Sequence, residues 1–479
     1  MFHNKKTKIV ATLGPATNSY KTKMKMVKNG VNVFRINFSH AEYEDVKLQV
    51  KEIRKIAKEL HTALAILADL QGPKLRIGKV ADDTYLEDGD ILTFTVKDKV
   101  VTDNDNKTVY ITYKELPKDV TAGEIILIDD GKIQVKVLGT DGKDSVITEV
   151  IEGGKLSSKK GVNLPNTKIS LPALTKKDKK DLRFAIKMEV DWIALSFVRS
   201  ADDLHLINDY ISAHSDYKIP VIAKIEKPEA VADIEEIILQ AEGLMVARGD
   251  LGIEVPMEDV PLIQKNLVYI AKKHQKPIII ATQMMESMIT QSIPTRAEVN
   301  DVANSVMDGA DAVMLSGETS IGKNPNKVIK QVSKIIRRVE NSKLIKVPQT
   351  HPVPERRDHR FISQVVCYNA SKIAADVSAH VISTFTASGF SAFKISARRP
   401  MADILVFTSH KRILNMMALL WGVNSFFYDK IKSTDATIKD IEKIACKNGF
   451  LEDGDMMVSV MSMPITDKGM VNTIRITQV

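Results

Sequence analysis

Eight short apolar runs punctuate the first two-thirds of the chain: KIVATLG from residue 8, VNVFRINF from 31, ALAILADL from 63, WIALSFV from 192, VIAKIE from 221, LMVARGD from 244, PIIIATQMM from 277 and AVMLS from 312. Between most of them lie stretches such as EYEDVKLQVKEIRKIAKEL and PLIQKNLVYIAKKHQ, where apolar residues return every three or four positions against a charged opposite face. That is the pattern of an amphipathic helix, whereas short uninterrupted apolar runs suit strands buried on both faces. Strand and helix alternating eight times predict a parallel (β/α)8 TIM barrel of α/β class.

The rhythm breaks once. More than 100 residues separate the third run from the fourth, and TYLEDGDILTFTV, KTVYITY and EIILIDDGKIQVKVLGTDGKDSVITEV alternate with period two around Asp130-Gly131 and Asp141-Gly142. Asp-Gly between alternating runs marks antiparallel hairpins, so residues 71–171 read as an inserted antiparallel β-barrel lid, leaving from the end of the third strand where barrel active sites lie. The barrel is then discontinuous, 1–70 and 172–345. KVPQTHPVPERRDHR reads as a linker, and 351–479 as a C-terminal α/β domain with HVISTFT, DILVFTS and DMMVSVMSM as strands and KRILNMMALLWG as a helix.

Composition narrows the function classes. A chain of 479 residues is long for one domain, and its 44% hydrophobic and 27% charged content is that of a globular protein. The net charge of +8 admits anionic partners, but 5% aromatic residues argue against a single-stranded nucleic-acid platform. Two distant cysteines, Cys367 and Cys446, exclude a disulfide framework and a zinc site. With no signal peptide or membrane-length run, the expectation is a cytoplasmic protein with no membrane and no nucleic-acid partner.

The ends of the eight runs carry polar residues: Thr12, Arg35 with Asn37, Asp69, Ser196, Lys224 with Glu226, Arg248 with Asp250, Thr282 and Ser316. In a barrel those ends converge on one pocket. Lys224 and Glu226 sit two apart on one side of an otherwise apolar strand, and a buried lysine needs a reason. A structural ion pair is the plain alternative, yet such pairs rarely improve on apolar packing. With Asp250, Glu226 would supply the two carboxylates of a magnesium site, leaving Lys224 as a point charge toward the substrate. Gly249 would let backbone N–H groups approach a carboxylate, and ARGDLG does not fit a dinucleotide fingerprint. Arg35 and Asn37 share a strand side that suits an anion clamp, with an arginine paired to a nearby acid as the equal alternative. DLQGPKLR adds Asp69, Lys74 and Arg76 where the third strand leaves the core.

NVFRINFSH, DLQGPKLR, SKKGVNLP, AKIEKPE, MVARGDLG, ATQMMESM, PTRAEVNDVAN and AVMLSGETS occur in the order found in pyruvate kinases, and the chain resembles that family along nearly its whole length. The resemblance implies a homotetrameric glycolytic enzyme that transfers the phosphoryl group of phosphoenolpyruvate to ADP, giving pyruvate and ATP. It implies Mg2+ (or Mn2+) on Glu226 and Asp250, and Lys224 on the moving phosphoryl group. Arg35, Arg76, Asn37 and Lys160 would contact phosphates or nucleotide, and Gly249 and Thr282 the three-carbon acid. Thr282, or a water it positions, is the candidate proton donor to the enolate; His40 is given no catalytic part. A keto-acid lyase would share the carboxylate pair, but the β insert and the nucleotide-side cations favour the kinase.

Two departures sharpen the reading. Many members carry Glu where Lys74 stands and Thr where Leu70 stands, and hold potassium with groups equivalent to Asn37, Ser39, Asp69 and that Thr. Here Leu70 removes an oxygen ligand and Lys74 supplies a tethered charge, as in potassium-independent bacterial members, so K+ is expected not to be required. In TASGFSA, Thr386, Ser388, Gly389 and Ser391 resemble the family's loop for a phosphorylated allosteric effector, while the partner loop MSMPITDKGMVNT lacks the Trp-Arg pair of some fructose-bisphosphate-regulated members.

Overall fold

Every barrel strand found is one of the eight apolar runs. A computed structural model of the chain describes residues 5–98, 100–165, 167–342, 360–430, 433–463 and 470–479. In it β1 (Lys8–Thr12), β2 (Val33–Asn37), β3 (Ala65–Asp69), β4 (Trp192–Leu195), β5 (Val221–Ile225), β6 (Gly243–Ala247), β7 (Ile278–Ala281) and β8 (Ala312–Leu315) form a closed parallel barrel. Pairing of Lys8 with Ala312 through Ala11 with Leu315 closes it. Alternate residues of one strand join different cores: Ile9 and Ala11 pack with the surrounding helices, and Val10 faces the interior with Leu67, Trp192 and Met245. That period of two is why these strands read as wholly apolar.

The interior core continues through the barrel floor into the C-terminal domain. Val10, Trp192 and Met314 belong to one cluster with Ala370, Ile404 and Leu419, and Trp192 Nε1 donates to Met416 O at 2.9 Å. Lys8 Nζ reaches Val423 O at 2.7 Å from the start of β1, and Arg399 Nη2 lies 3.0 Å from Asp311 Oδ1 at the start of β8. The C-terminal domain therefore seals the face opposite the strand ends that carry the polar residues.

That domain is a five-stranded sheet. β9 (Val381–Phe385), β10 (Asp403–Thr408), β11 (Val423–Phe427), β12 (Met456–Met461) and β13 (Thr473–Gln478) lie in the order β11-β10-β9-β12-β13, parallel except for β13. The sequence reading missed β11 and β13, whose residues are half exposed and lack a continuous apolar run. It also made KRILNMMALLWG one helix. The helix spans Lys411–Met416 and tightens to a single turn at Met417–Leu419, because Gly422, at φ +70, turns the chain toward β1 and donates to Lys6 O. The stretch read as a linker lies outside the described residues except for Arg360, as do 464–469 of MSMPITDKGMVNT.

The insert curls six strands around its own core of Ile77, Phe94, Val135 and Val150, antiparallel except where Ile91–Thr95 runs parallel to Thr108–Tyr110. Both Asp-Gly pairs make turns, with Gly131 at φ +85 and Gly142 at φ +67. Asp178 pins the insert's two ends. It caps helix Lys176–Lys187 in a reciprocal box with Thr175, and its Oδ1 accepts Gly72 N at 3.1 Å. Among the described residues no helix is long and apolar enough to cross a membrane.

Candidate active site

The C-terminal ends of β2, β3 and β5 bring four charged groups into contact, and the end of β4 adds Ser196. Arg35 Nε lies 2.6 Å from Asp69 Oδ2, and Lys224 Nζ lies 3.3 Å from Asp69 Oδ1 and 2.8 Å from Glu226 Oε1. Lys224 also donates to Ser196 Oγ at 2.7 Å, and Arg35 Nη1 to Thr12 Oγ1 at 3.0 Å. Asp69 and Glu226 are each 1% exposed, Lys224 8% and Arg35 9%. Burial works against the Lys224 charge, but Asp69 and Glu226 outweigh it and hold the ammonium above its ordinary range. Burial likewise opposes the Asp69 charge, and Arg35 with Lys224 bring its carboxyl below the usual range. The lysine is thus a fixed positive charge that cannot serve as a base near neutral pH.

Glu226 is different. Its Oε2 accepts Phe197 N at 2.7 Å, and its buried Oε1 is paired with the Lys224 ammonium at 2.8 Å. Burial pushes its carboxyl up to about 7, with Lys224 pulling down and Asp250 pushing further up. Arg35 and Lys224 are the cations set among the carboxyl groups of Asp69, Glu226 and Asp250. A buried carboxyl raised in part by a second carboxylate fits a divalent cation, which would favour the ionised form of both and take its other ligands from waters and substrate oxygens. Among the described residues no group of three His, Cys, Asp or Glu side chains forms an all-protein cage.

Asp250 and Gly249 lie in the first turn of helix Arg248–Glu254. Gly249 N donates to Thr282 Oγ1 at 2.7 Å, so this N–H is engaged by the threonine. Thr282 and Gln283 follow β7 with φ of +70 and +56. For a β-branched residue that conformation costs on the order of 1–3 kcal/mol and persists only where neighbours hold it. Arg248 is the neighbour: Nη2 donates to Thr282 O at 2.6 Å and Nε to Ala281 O at 3.3 Å.

The lid contributes less tightly. Arg76 Nη1 donates to Lys159 O at 2.7 Å, and Lys160 Nζ pairs with Asp129 Oδ1 at 2.9 Å. Lys74 is exposed on a narrow cleft between lid and barrel, of about 50 Å3, that Asp130, Asn163, Arg199, Lys227, Asp250 and Glu254 also line. Asp69 is engaged by Arg35 and Lys224 rather than by Lys74. Asn37 Oδ1 accepts Ser39 N at 3.1 Å, and the neighbouring His40 is held below its ordinary pKa by burial and then by the charges of Lys74, Arg76, Lys177 and Arg35. The cations of β2, the lid loop and helix Lys176–Lys187 therefore act on one small region.

In the C-terminal turn, Thr386 Oγ1 accepts Gly389 N at 2.9 Å, with Gly389 at φ +83. Ser391 faces inward, 2.9 Å from Thr384 Oγ1 and 1% exposed, whereas Ser388 is exposed. Ser388 sits on a cavity of about 690 Å3 between barrel floor and C-terminal domain, lined also by Tyr217, Arg360, Lys394, His410 and Arg412.

Sequence reasoning assigned no part to three groups here. Lys227 and Glu254 form a buried 2.8 Å ion pair on the cleft wall, and Asn163 of the lid donates to the same Glu254 oxygen at 2.8 Å. Asp301 grips Arg248 through both oxygens at 2.6 and 2.7 Å. Lys227, Asn163 and Asp301 lie inside the quoted motifs, and Glu254 two residues beyond one. For Asp301 the available signal was a carboxylate on a helix that also carries Val299, Val302 and Val306.

Two family models match the chain: pyruvate kinase, barrel domain, over residues 4–329, and pyruvate kinase, alpha/beta domain, over 364–477. The pyruvate kinase of Corynebacterium glutamicum is 43% identical over 474 residues, covering 99% of this chain and 97% of that protein. The pyruvate kinase of Mycobacterium tuberculosis is 40% identical, covering 98% of each. A crystal structure of a pyruvate kinase from Cryptosporidium parvum superposes with a TM-score of 0.90 at 32% identity, covering 99% of this chain and 96% of that one. Fold, ordered motifs and full-length relatives agree, and the chain belongs to the pyruvate kinase family, whose members transfer a phosphoryl group between phosphoenolpyruvate and ADP.

Proposed function

We propose that Lys224 is the residue on which phosphoryl transfer turns, and the observation that carries this reading is its buried ammonium, fixed by Asp69, Glu226 and Ser196 at the strand ends. A transferring phosphoryl group passes through a loose, metaphosphate-like state with charge on its outer oxygens, so catalysis asks for positioned cations rather than a nucleophile. Lys224 neutralises that charge as the bond to the enol oxygen breaks and the bond to the ADP oxygen forms. Glu226 and Asp250 hold the magnesium ion, which when bound supplies Lewis-acid polarisation of substrate oxygens. Arg35 and Asn37 from β2, with Arg76 and Lys160 from the lid, clamp phosphates and nucleotide. Thr282, with Gly249, orients the three-carbon acid, and its hydroxyl or a water it positions delivers the proton to the methylene carbon of the enolate.

In this reading the barrel comprises 1–70 and 172–345, the lid 71–171 and the regulatory domain 351–479, the enzyme works in the cytoplasm, and Lys74 with Leu70 makes potassium dispensable. A phosphorylated effector docks at Thr386, Ser388 and Gly389, supported by the cations around the neighbouring cavity, while the inward Ser391 shapes the turn. A homotetramer is supported by large exposed apolar side chains on the barrel surface, Met257, Leu262, Ile293 and Ile321, each more than 60% exposed. The test is ATP and pyruvate formation from phosphoenolpyruvate and ADP over a magnesium titration, in parent and Lys224→Met. Equal rates in the two would overturn the role of the lysine.

A further inference from the structure

We propose that Asp301, on a helix behind the strand ends, is a positioning residue for phosphoryl transfer, acting through Arg248 to hold Thr282. The inference rests on the reading of Thr282 as a substrate-orienting group. Two consecutive residues with positive φ, Thr282 and Gln283, turn the carbonyls of Ala281 and Thr282 toward the guanidinium of Arg248. The same Nη2 approaches Met284 Sδ at 3.1 Å, so one planar group braces the chain from 281 to 284.

A guanidinium braces a backbone only if its own plane is fixed. Asp301 meets it bidentately at 2.6 and 2.7 Å, and Gln264 Oε1 is 3.3 Å from Nη1. Gln264 is anchored in turn by Asp308 at 3.1 Å. Asp301 and Asp308 share helix Arg296–Asp308, whose start is fixed by the Thr295–Glu298 capping box. The planar fork of arginine matches a carboxylate in two bonds while leaving N–H groups for the carbonyls, which a lysine would not do. Because Arg248 also begins the helix that carries Gly249 and Asp250, the clamp ties the ends of β6 and β7 into one unit, closed by the bond from Gly249 N to Thr282 Oγ1.

The experiment is a double-mutant cycle on the full-length enzyme with Asp301→Asn, Thr282→Ala and their combination, plus Asp301→Glu. It reads kcat, KM for phosphoenolpyruvate, and exchange of pyruvate methyl hydrogens with solvent deuterium. Asp301→Asn is expected to lower kcat and methyl exchange roughly 10- to 100-fold, the range a small misplacement of a reacting group gives, with KM moving less than about threefold. In the Thr282→Ala background it should cost less than about twofold, because the group it positions is gone. Asp301→Glu, which keeps the charge, should fall less than Asp301→Asn. Full kcat in Asp301→Asn beside a crippled Thr282→Ala would overturn the clamp alone. An equal loss in both backgrounds would overturn action through Thr282. Full kcat in Thr282→Ala would overturn the reading of Thr282 on which the clamp depends.

Discussion

Lys224 and Glu226, two residues apart at the end of β5, meet in a 2.8 Å ion pair at the mouth of the barrel. The pair holds the lysine in place, while the neighbouring charge of Asp250 raises the Glu226 carboxyl, a repulsion that a bound cation would relieve. Lys224→Met should lower kcat roughly 10²- to 10³-fold, the loss typical of removing one electrostatic stabiliser, while phosphoenolpyruvate still binds. Glu226→Gln should instead raise the magnesium concentration needed for half-maximal rate. Initial rates across both titrations separate the two, and unchanged kcat with lost substrate binding in Lys224→Met would remove its transition-state role.

Lys74 and potassium should be alternatives. Two unit charges about 4 Å apart at an effective dielectric near 20 repel by roughly 4 kcal/mol, so an ammonium and the ion would not share one pocket. The parent is expected to be active in tetramethylammonium buffer at constant magnesium. Lys74→Glu, best combined with Leu70→Thr, should be weak there and recover on adding potassium. Strong potassium activation of the parent would mark Lys74 as a surface residue.

Ser388 is exposed in a turn beside several cations, so a carboxylate there should exclude a phosphate by like charge. Ser388→Asp should abolish activation by a phosphorylated effector and leave the rate at saturating substrate largely intact. A response matching the parent's, over a panel of sugar phosphates and AMP, would move the site elsewhere.

Lys272 tests the joint between barrel and C-terminal domain. Its Nζ lies 2.5 Å from Asp311 Oδ2, but Arg399 engages the same carboxylate, and burial followed by that guanidinium depresses the lysine from 10.5 to about 7. Between those values the unfolded chain carries a proton that the folded chain lacks, so this group makes stability rise with pH across the window and imposes its full penalty below about 7. Lys272→Met should therefore gain most over the parent near pH 6, by about 2–4 °C for each kcal/mol relieved, and the gap should narrow steadily above pH 7 and close only as the pH passes 10.5. Melting curves at three pH values decide it; a constant gap would show that charge plays no part.

The barrel was legible because eight buried strands need eight apolar runs, and because Asp-Gly pairs constrain hairpins. Arg35, Asp69, Lys224, Glu226 and Thr282 stood out as polar residues at the ends of those runs; the structure joins the first four in one cluster and bonds Thr282 to Gly249 beside Asp250. The Arg248–Asp301 clamp did not stand out, since a contact between residues 53 positions apart leaves no local pattern. Neither did the inward turn of Ser391, because a serine reads the same at a cap and in a core. Strands β11 and β13 hid for a related reason: half-exposed strands dilute their alternation with solvent-facing residues.

The contact between Asp178 and Gly72 makes the lid a removable part. Because one carboxylate fastens the point where the insert leaves the barrel to the helix at which it returns, the third βα unit is closed at its root whatever hangs beyond it. Replacing the insert with a short Gly-Ser bridge between those points should leave a barrel that folds with its C-terminal partner, carries the buried charge cluster intact, and lacks the lid's contributions to the cleft, Lys74, Arg76, Lys160 and Asn163 among them. Such a shortened chain would be a scaffold with an open mouth, onto which a different covering domain could be grafted without redesigning the barrel.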